Sequence, residues 1–234
     1  MATVLITGAN RGLGLEFCKQ YAEEGWTVLA CARQPEQAQA LSALAEEYQG
    51  ITILPLDVAD FAQIDALASQ LSNSPIDVLL NNAGVYGDSP ASRFGHIDYQ
   101  TWQETLRINT LAPVKMAEAF LSHLQRGQQK RIANVTSLMG SMTDNTSGGS
   151  LMYRSSKAGL NAVMKSLSID LKPQGIGILI LHPGWVLTDM GGPHALINPE
   201  VSVAGMCKVI AGFTMNQSGS FIKYDGSVML GESV

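Results

Sequence analysis

The sequence predicts an α/β fold, a doubly wound and mostly parallel sheet with helices on both faces, in a single domain over residues 1–234. Three observations predict it. Strand-sized apolar runs alternate with amphipathic helical patterns along the whole chain. Those runs, such as Val4-Leu5-Ile6 and Val78-Leu79-Leu80, are continuous rather than alternating, as in parallel strands buried on both faces. A glycine-rich turn, Thr7-Gly8-Ala9-Asn10-Arg11-Gly12-Leu13-Gly14, joins the first run to the first helical pattern. With 234 residues, 46% of them hydrophobic, the chain is long enough for one sizeable core.

The elements follow in order. The first helix is expected from Leu15 to about Glu24, and Thr27 to Ala32 reads as the second strand. Pro35 to Tyr48 reads as one amphipathic helix with Leu41, Leu44 and Ala45 inward. Ile51 to Leu56 is the third strand. Asp60 with Gln63 resembles a capping box for the helix that runs to Leu71. Val78 to Leu80 leads into Asn81-Asn82-Ala83-Gly84, and residues 85–100 read as loop. One long helix is expected over 101–125, carrying Asn109. Arg131 to Thr136 is a strand ending at Ser137. A small, polar, glycine-rich stretch (139–150) precedes a helix that carries Tyr153 and Lys157 and stops near Pro173. Gly177 to Leu181 is the sixth strand. Residues 189–200 are expected to be mobile. A helix over about 200–212 and a strand over about 219–223 complete the pattern.

Right-handed crossovers place all the strand C-termini on one edge, where open α/β sheets bind ligands. Gly8, Arg33, Asp57, Asn82, Ser137 and Pro183 all follow strands and so meet there. Strand, glycine turn and helix together form the context a dinucleotide phosphate needs: close backbone approach and a helix N-terminus facing the charge. The spacing is Gly-x3-Gly-x-Gly. The second strand ends in Ala32-Arg33 rather than an acid. An Arg at that place suits a ribose 2′-phosphate, and the alternative is a solvated charge at a strand end. Tyr153 and Lys157 are four apart and share a helix face, so an ammonium beside the phenol should lower its pKa. Such a tyrosine suits general acid–base work.

Bulk properties exclude several classes. The net charge of −5 with no basic run argues against a nucleic-acid partner. The N-terminal stretch has no basic region and no long apolar run, and no apolar run approaches a membrane span, so a cytoplasmic protein with no membrane partner is expected. Three widely spaced cysteines, Cys18, Cys31 and Cys207, suit a reducing compartment. No His or Cys spacing suggests a metal site.

Taken together, the motifs resemble the short-chain dehydrogenase/reductase family, of Rossmann-like fold, over nearly the whole chain. The resemblance rests on the glycine turn (7–14), Asp57, Asn-Asn-Ala-Gly (81–84), Asn109, Ser137, Tyr153-x3-Lys157 and Pro-Gly-x3-Thr (183–188). Tyr153-Arg-Ser-Ser-Lys-Ala-Gly-Leu-Asn161 and Phe221-Ile-Lys-Tyr-Asp-Gly226 are similar to the C-factor/sniffer-like carbonyl reductase branch. The resemblance implies an oxidoreductase that transfers a hydride between a nicotinamide and a carbonyl or alcohol substrate. Tyr153 would be the general acid/base, and Ser137 would hold the substrate oxygen. Lys157 would bind the nicotinamide ribose, and Asn109 would hold a water linking Lys157 to solvent. The cofactor would be held by Gly8, Asn10, Arg11, Gly12, Leu13, Arg33, Asp57, Val58, Asn82, Ala83, Gly84, Pro183, Gly184, Val186 and Thr188, with Tyr153 and Lys157. Arg33 and Arg11 favour NADP(H), with NAD(H) as the alternative.

Ser137 and Tyr153 lie further apart than is usual in the family, with the extra residues in Thr143 to Ser150. Trp185, Met139 and Met190 are candidates to line or cover the substrate pocket. The helices around 101–125 and 150–172 resemble the pair that joins subunits, so a homodimer or homotetramer is expected. The competing reading is a cofactor-binding regulatory or signalling protein on the same fold with little turnover.

Overall fold

The computed structural model describes residues 1–229; positions 230–234, the end of the expected domain, lie outside the described residues. Seven strands form one sheet: β1 (Thr3–Thr7), β2 (Thr27–Ala32), β3 (Ile51–Pro55), β4 (Val78–Asn81), β5 (Arg131–Val135), β6 (Gly177–His182) and β7 (Phe221–Lys223). Their order is β3-β2-β1-β4-β5-β6-β7, and every pairing between them is parallel. The chain walks outward from β1 to β3, then returns to the other side of β1 to begin β4. That reversal opens a crevice above the C-terminal ends of β1 and β4.

Successive strand residues point to opposite faces, and both faces are apolar. Val4 and Ile6 face one layer, where Phe17 and Tyr21 of α1 (Gly12–Glu23), Leu41 of α2 (Gln39–Glu47) and Met206 of α8 (Pro199–Ala211) cover them. Leu5 faces the other layer, with Ile64 of α3 (Phe61–Gln70), Met116 of α5 (Ala112–Ala119), Leu124 of α6 (Leu121–Arg126) and Met164 of α7 (Leu151–Asp170). This two-sided burial is why the strand runs read as continuous rather than alternating. Each fully buried Leu, Ile or Phe contributes about 1.5–3 kcal/mol. Among the described residues no helix is long and apolar enough to cross a membrane.

Several boundaries differ from expectation. The helix expected over 35–48 is a short 3-10 turn, Pro35–Gln37, followed by α2, because Ala38 leaves helical geometry and is buried against the core. The long helix expected over 101–125 is three helices. α4 (Tyr99–Leu106) runs into a π-helical turn, Arg107–Leu111, and α5 and α6 part at Phe120. Side-chain bonds from Asn109 and Thr110 to other elements hold the widened turn, overriding the α register. The Asp60–Gln63 box is half formed. Asp60 accepts from the amides of Ala62 and Gln63, but the Gln63 side chain accepts from the Asp57 amide instead of that of Asp60.

Candidate active site

The glycine turn is locked to the end of β4. Thr7 Oγ1 accepts from the amides of Asn82 and Ala83 at 3.0 Å each, and Asn82 Nδ2 donates to the carbonyls of Thr7 and Gly8 at 3.0 and 3.1 Å. Gly8 has φ +66°, and a Cβ there would lie 2.9 Å from Ala83 Cα. A Cβ on Gly14 would run into the Gly8 carbonyl. Side chains are therefore excluded at both places by contact, not by composition. Arg11, the residue before α1, is extended and makes no side-chain cap to the helix. The first-turn amides of α1 are left without a side-chain acceptor beside a cleft, the donor set that an anionic pyrophosphate fits.

That cleft has a volume of about 1030 Å³ and runs along the sheet edge. Every residue expected to hold the cofactor lines it, as do Ser137, Tyr153 and Lys157, and Thr188 lies against the glycine turn, its Cγ2 3.5 Å from where a Cβ on Gly12 would be. Met139, Trp185 and Met190 line it too. Asn109 does not; it is buried one layer behind. Sequence reasoning missed Gln34, Gln37, Val85, Tyr86, Ile108 and Asp189, which also line it. None of these belongs to a motif: Gln34, Val85, Tyr86 and Asp189 follow closely on strand ends or motifs that were identified, whereas Gln37 and Ile108 fall inside segments expected to be helices.

Ser137 ends the segment after β5 and caps a 3-10 turn, Leu138–Gly140, its Oγ accepting from the Met139 amide at 3.1 Å. Ser137 lies beside the Tyr153 phenol in the cleft and pulls its pKa down by hydrogen bonding, so the longer loop between them leaves the two residues side by side. A Cβ on Gly140 would meet the Lys157 backbone at 2.8 Å, so this turn sits directly on α7. His182 accepts a bond from the Leu138 amide at its Nδ1, 3.3 Å away, supporting the Ser137 turn from β6. Burial, helped by Lys223, pushes His182 down to about 4, so it stays a neutral acceptor.

The expected lowering of the Tyr153 pKa is corrected by the structure. Burial pushes the phenol up to about 12, the Ser137 bond pulls it down, and Tyr86 raises it further. Burial also pushes Lys157 down to about 8. The ammonium lies 5.7 Å from the Tyr153 ring centre and donates to the Val135 carbonyl at 3.0 Å. Desolvation opposes both charges, and at this separation it outweighs their attraction.

Asn109 is fastened by its side chain. Oδ1 accepts from the Val85 amide at 2.9 Å, and Nδ2 donates to the Val85 carbonyl at 2.8 Å and to Ser156 Oγ at 2.9 Å. Ser156, fully buried and absent from the expected site, passes the contact on to the Tyr153 carbonyl at 2.8 Å. Asn109 Oδ1 and Lys157 Nζ both face Gly84, at 3.2 and 3.5 Å from where its Cβ would be. A side chain at 84 would come between them.

At the far end Arg33 is exposed at the mouth. Arg11 is not free: it pairs with Asp189 at 2.7 Å, across the cleft from the glycine turn to the segment after β6. The segment 189–200, expected to be mobile, is hydrogen-bonded to the residues before it. Trp185 Nε1 donates to the Gly191 carbonyl at 2.8 Å, the Gly191 amide donates to Thr188 Oγ1 at 3.2 Å, and Leu187 pairs with Ile197. Among the described residues no cluster of three or more His, Cys, Asp or Glu could hold a metal.

The family model described as short chain dehydrogenase matches residues 2–195. C-signal of Myxococcus xanthus is 46% identical over 162 residues, covering 69% of this chain and 96% of that protein. The crystal structure of NADPH-bound carbonyl reductase from chicken fatty liver is 35% identical with a TM-score of 0.91, covering 98% of each chain. Carbonyl reductase Sniffer of D. melanogaster is 35% identical with a TM-score of 0.90, covering 98% of this chain and 99% of its own.

Proposed function

Since the chain belongs to the short-chain dehydrogenase/reductase family, in the branch of C-signal and Sniffer, we propose that it is an NADP(H)-dependent carbonyl reductase with Tyr153 as general acid/base. The observation that carries this reading is Tyr153 beside Ser137 in a single cleft that also takes in an uncapped glycine turn. NADP(H) is assigned from Arg33 at the end of β2 and from the NADPH in the chicken enzyme. When bound, the nicotinamide supplies or accepts the hydride.

The protein's own residues do the rest. Ser137 holds the carbonyl oxygen by hydrogen bond. Tyr153 gives that oxygen its proton as negative charge develops there. Burial holds the phenol protonated, so the proton is available throughout the neutral range in the direction of reduction. Lys157, still mostly protonated at neutral pH with its pKa near 8, stabilises the phenolate left behind and binds the ribose hydroxyls. Asn109 and Lys157, facing one another past Gly84, form the start of the path that returns a proton from solvent. Tyr86, Met139, Trp185 and Met190 give the substrate end an apolar lining, which suits a carbonyl compound with an apolar body.

We also assign a cytoplasmic location, supported by three free, buried cysteines, and a homodimer or homotetramer, supported by Leu111 and Ile169 exposed on the helices expected to join subunits. Sedimentation showing only monomer at micromolar concentration would remove the second. The test of the main reading is NADPH oxidation with a panel of aldehydes, ketones and diketones. Turnover supports a reductase; tight NADPH binding with no turnover supports the regulatory reading.

A further inference from the structure

Tyr153 is the third residue of α7, in the turn where a helix is most prone to fray. A helix start is normally closed by a side chain from the residue just before it, in extended geometry. Ser150 occupies that place with φ 48° and ψ 47°, in the left-handed region, and makes no cap bond. Its hydroxyl is turned to Tyr86 Oη, 2.7 Å away. The amides of α7 are met instead from a distant segment. Asp88 Oδ1 accepts from the Met152 amide at 3.3 Å, and Asp88 Oδ2 accepts from the Tyr153 amide at 2.8 Å. No Lys or Arg among the described residues is within ion-pair distance of Asp88, so the helix start is the positive charge its carboxylate faces.

The segment bearing Asp88 is itself fixed. Val85 is clasped through both its backbone groups by Asn109. The Tyr86 ring lies 4.9 Å from the Tyr153 ring. Gly87, at φ +78°, turns the chain so tightly against α4 that a Cβ there would run into the buried Thr105 side chain. The chain leaving Gly84 therefore makes a rigid strut that ends in a carboxylate on the backbone of the tyrosine.

We propose that Asp88 is a positioning residue for proton transfer: it closes the start of α7 in place of Ser150 and so holds the Tyr153 hydroxyl on Ser137. This rests on the assignment of Tyr153 as the acid/base. Asp88 touches neither substrate nor cofactor in this role, and it does not line the cleft. Loss of the carboxylate frees the first turn of α7 while leaving the glycine turn, Arg33 and Lys157 in place. The consequence falls on the chemical step and spares cofactor affinity.

The test compares wild type, Asp88→Ala and Asp88→Asn by turnover, NADPH dissociation constant and amide hydrogen exchange at Met152 and Tyr153. Misplacing a reacting group by about 1 Å can cost as much as a hundredfold in rate, so Asp88→Ala should lower kcat by about ten- to a hundredfold. Its NADPH dissociation constant should stay close to that of wild type, and the Met152 and Tyr153 amides should exchange faster. Asp88→Asn keeps one carbonyl acceptor and should recover part of both kcat and protection, which also covers an alanine variant that fails to fold. Unchanged kcat, unchanged protection, a kcat loss matched by an equal loss of NADPH affinity, or an asparagine variant no better than alanine would overturn the proposal. A wild type that reduces no carbonyl would instead remove the reductase reading, while the exchange comparison still decides the cap.

Discussion

Lys157 Nζ donates to the carbonyl oxygen of Val135 at 3.0 Å, tying the second turn of α7 to the end of β5 two residues before Ser137. The lysine thus joins the two elements that bring Ser137 and Tyr153 together, besides facing the cleft. Lys157→Met keeps most of the stem and removes the charge. Losing a buried charge and leaving the Val135 carbonyl unpaired oppose each other in stability, so the thermal midpoint should move little. NADPH binding should weaken by about tenfold, from the loss of one charge-assisted hydrogen bond of about 1.5 kcal/mol at 1.4 kcal/mol per decade. Turnover should fall as well. A rate loss with unchanged NADPH affinity would remove the ribose role.

Cofactor choice is predicted to rest on Arg33. It stands exposed at the mouth, where β2 ends without an acid. Solvent at the rim holds its contribution to about 1.5–3 kcal/mol, so NADPH should bind about ten- to a hundredfold tighter than NADH. Arg33→Ala should erase most of that preference. Arg11 is paired with Asp189, and an exposed pair contributes only about 0.2–1 kcal/mol. Asp189→Asn should therefore free Arg11 and tighten NADPH by a few-fold at low salt without changing NADH. Equal affinities for the two cofactors in wild type would contradict the first expectation. Weaker NADPH binding in Asp189→Asn would contradict the second.

His182 sets a pH dependence. Its folded pKa is pushed down to about 4 by burial, from an ordinary value near 6.5. The unfolded chain takes up the proton below about 6.5 and the folded chain refuses it until about 4, so stability is lost as pH falls through that window. Thermal midpoints measured from neutral to about pH 4.5 should fall less steeply in His182→Gln, which keeps an acceptor for the Leu138 amide. Identical slopes in the two proteins would show that His182 is not the group responsible.

The sheet and the cleft along its edge were legible because their signals are local. Gly8 and Gly14 are needed where a Cβ would strike backbone, and Val4-Leu5-Ile6 reads as two-sided because both faces are covered. The π turn at Arg107–Leu111 was not legible, since it depends on bonds from Asn109 to Val85 and from Thr110 to Ser156, made between distant parts of the chain. The same holds for Asp88, 65 residues before the amide it accepts from. The Tyr153–Lys157 spacing correctly placed both groups on the cleft, but spacing carries no measure of desolvation. The direction of the tyrosine's pKa shift was therefore misjudged.

The Tyr153 hydroxyl, beside Ser137 in the cleft, is assigned the transferred proton. The most direct measurement is single-turnover NADPH oxidation by Tyr153→Phe beside wild type, on a carbonyl that wild type reduces, with NADPH affinity measured on both. Removing only the hydroxyl should leave NADPH affinity nearly unchanged and slow the hydride step by about 10²–10⁴-fold. A hydride step as fast in Tyr153→Phe as in wild type would contradict the mechanism.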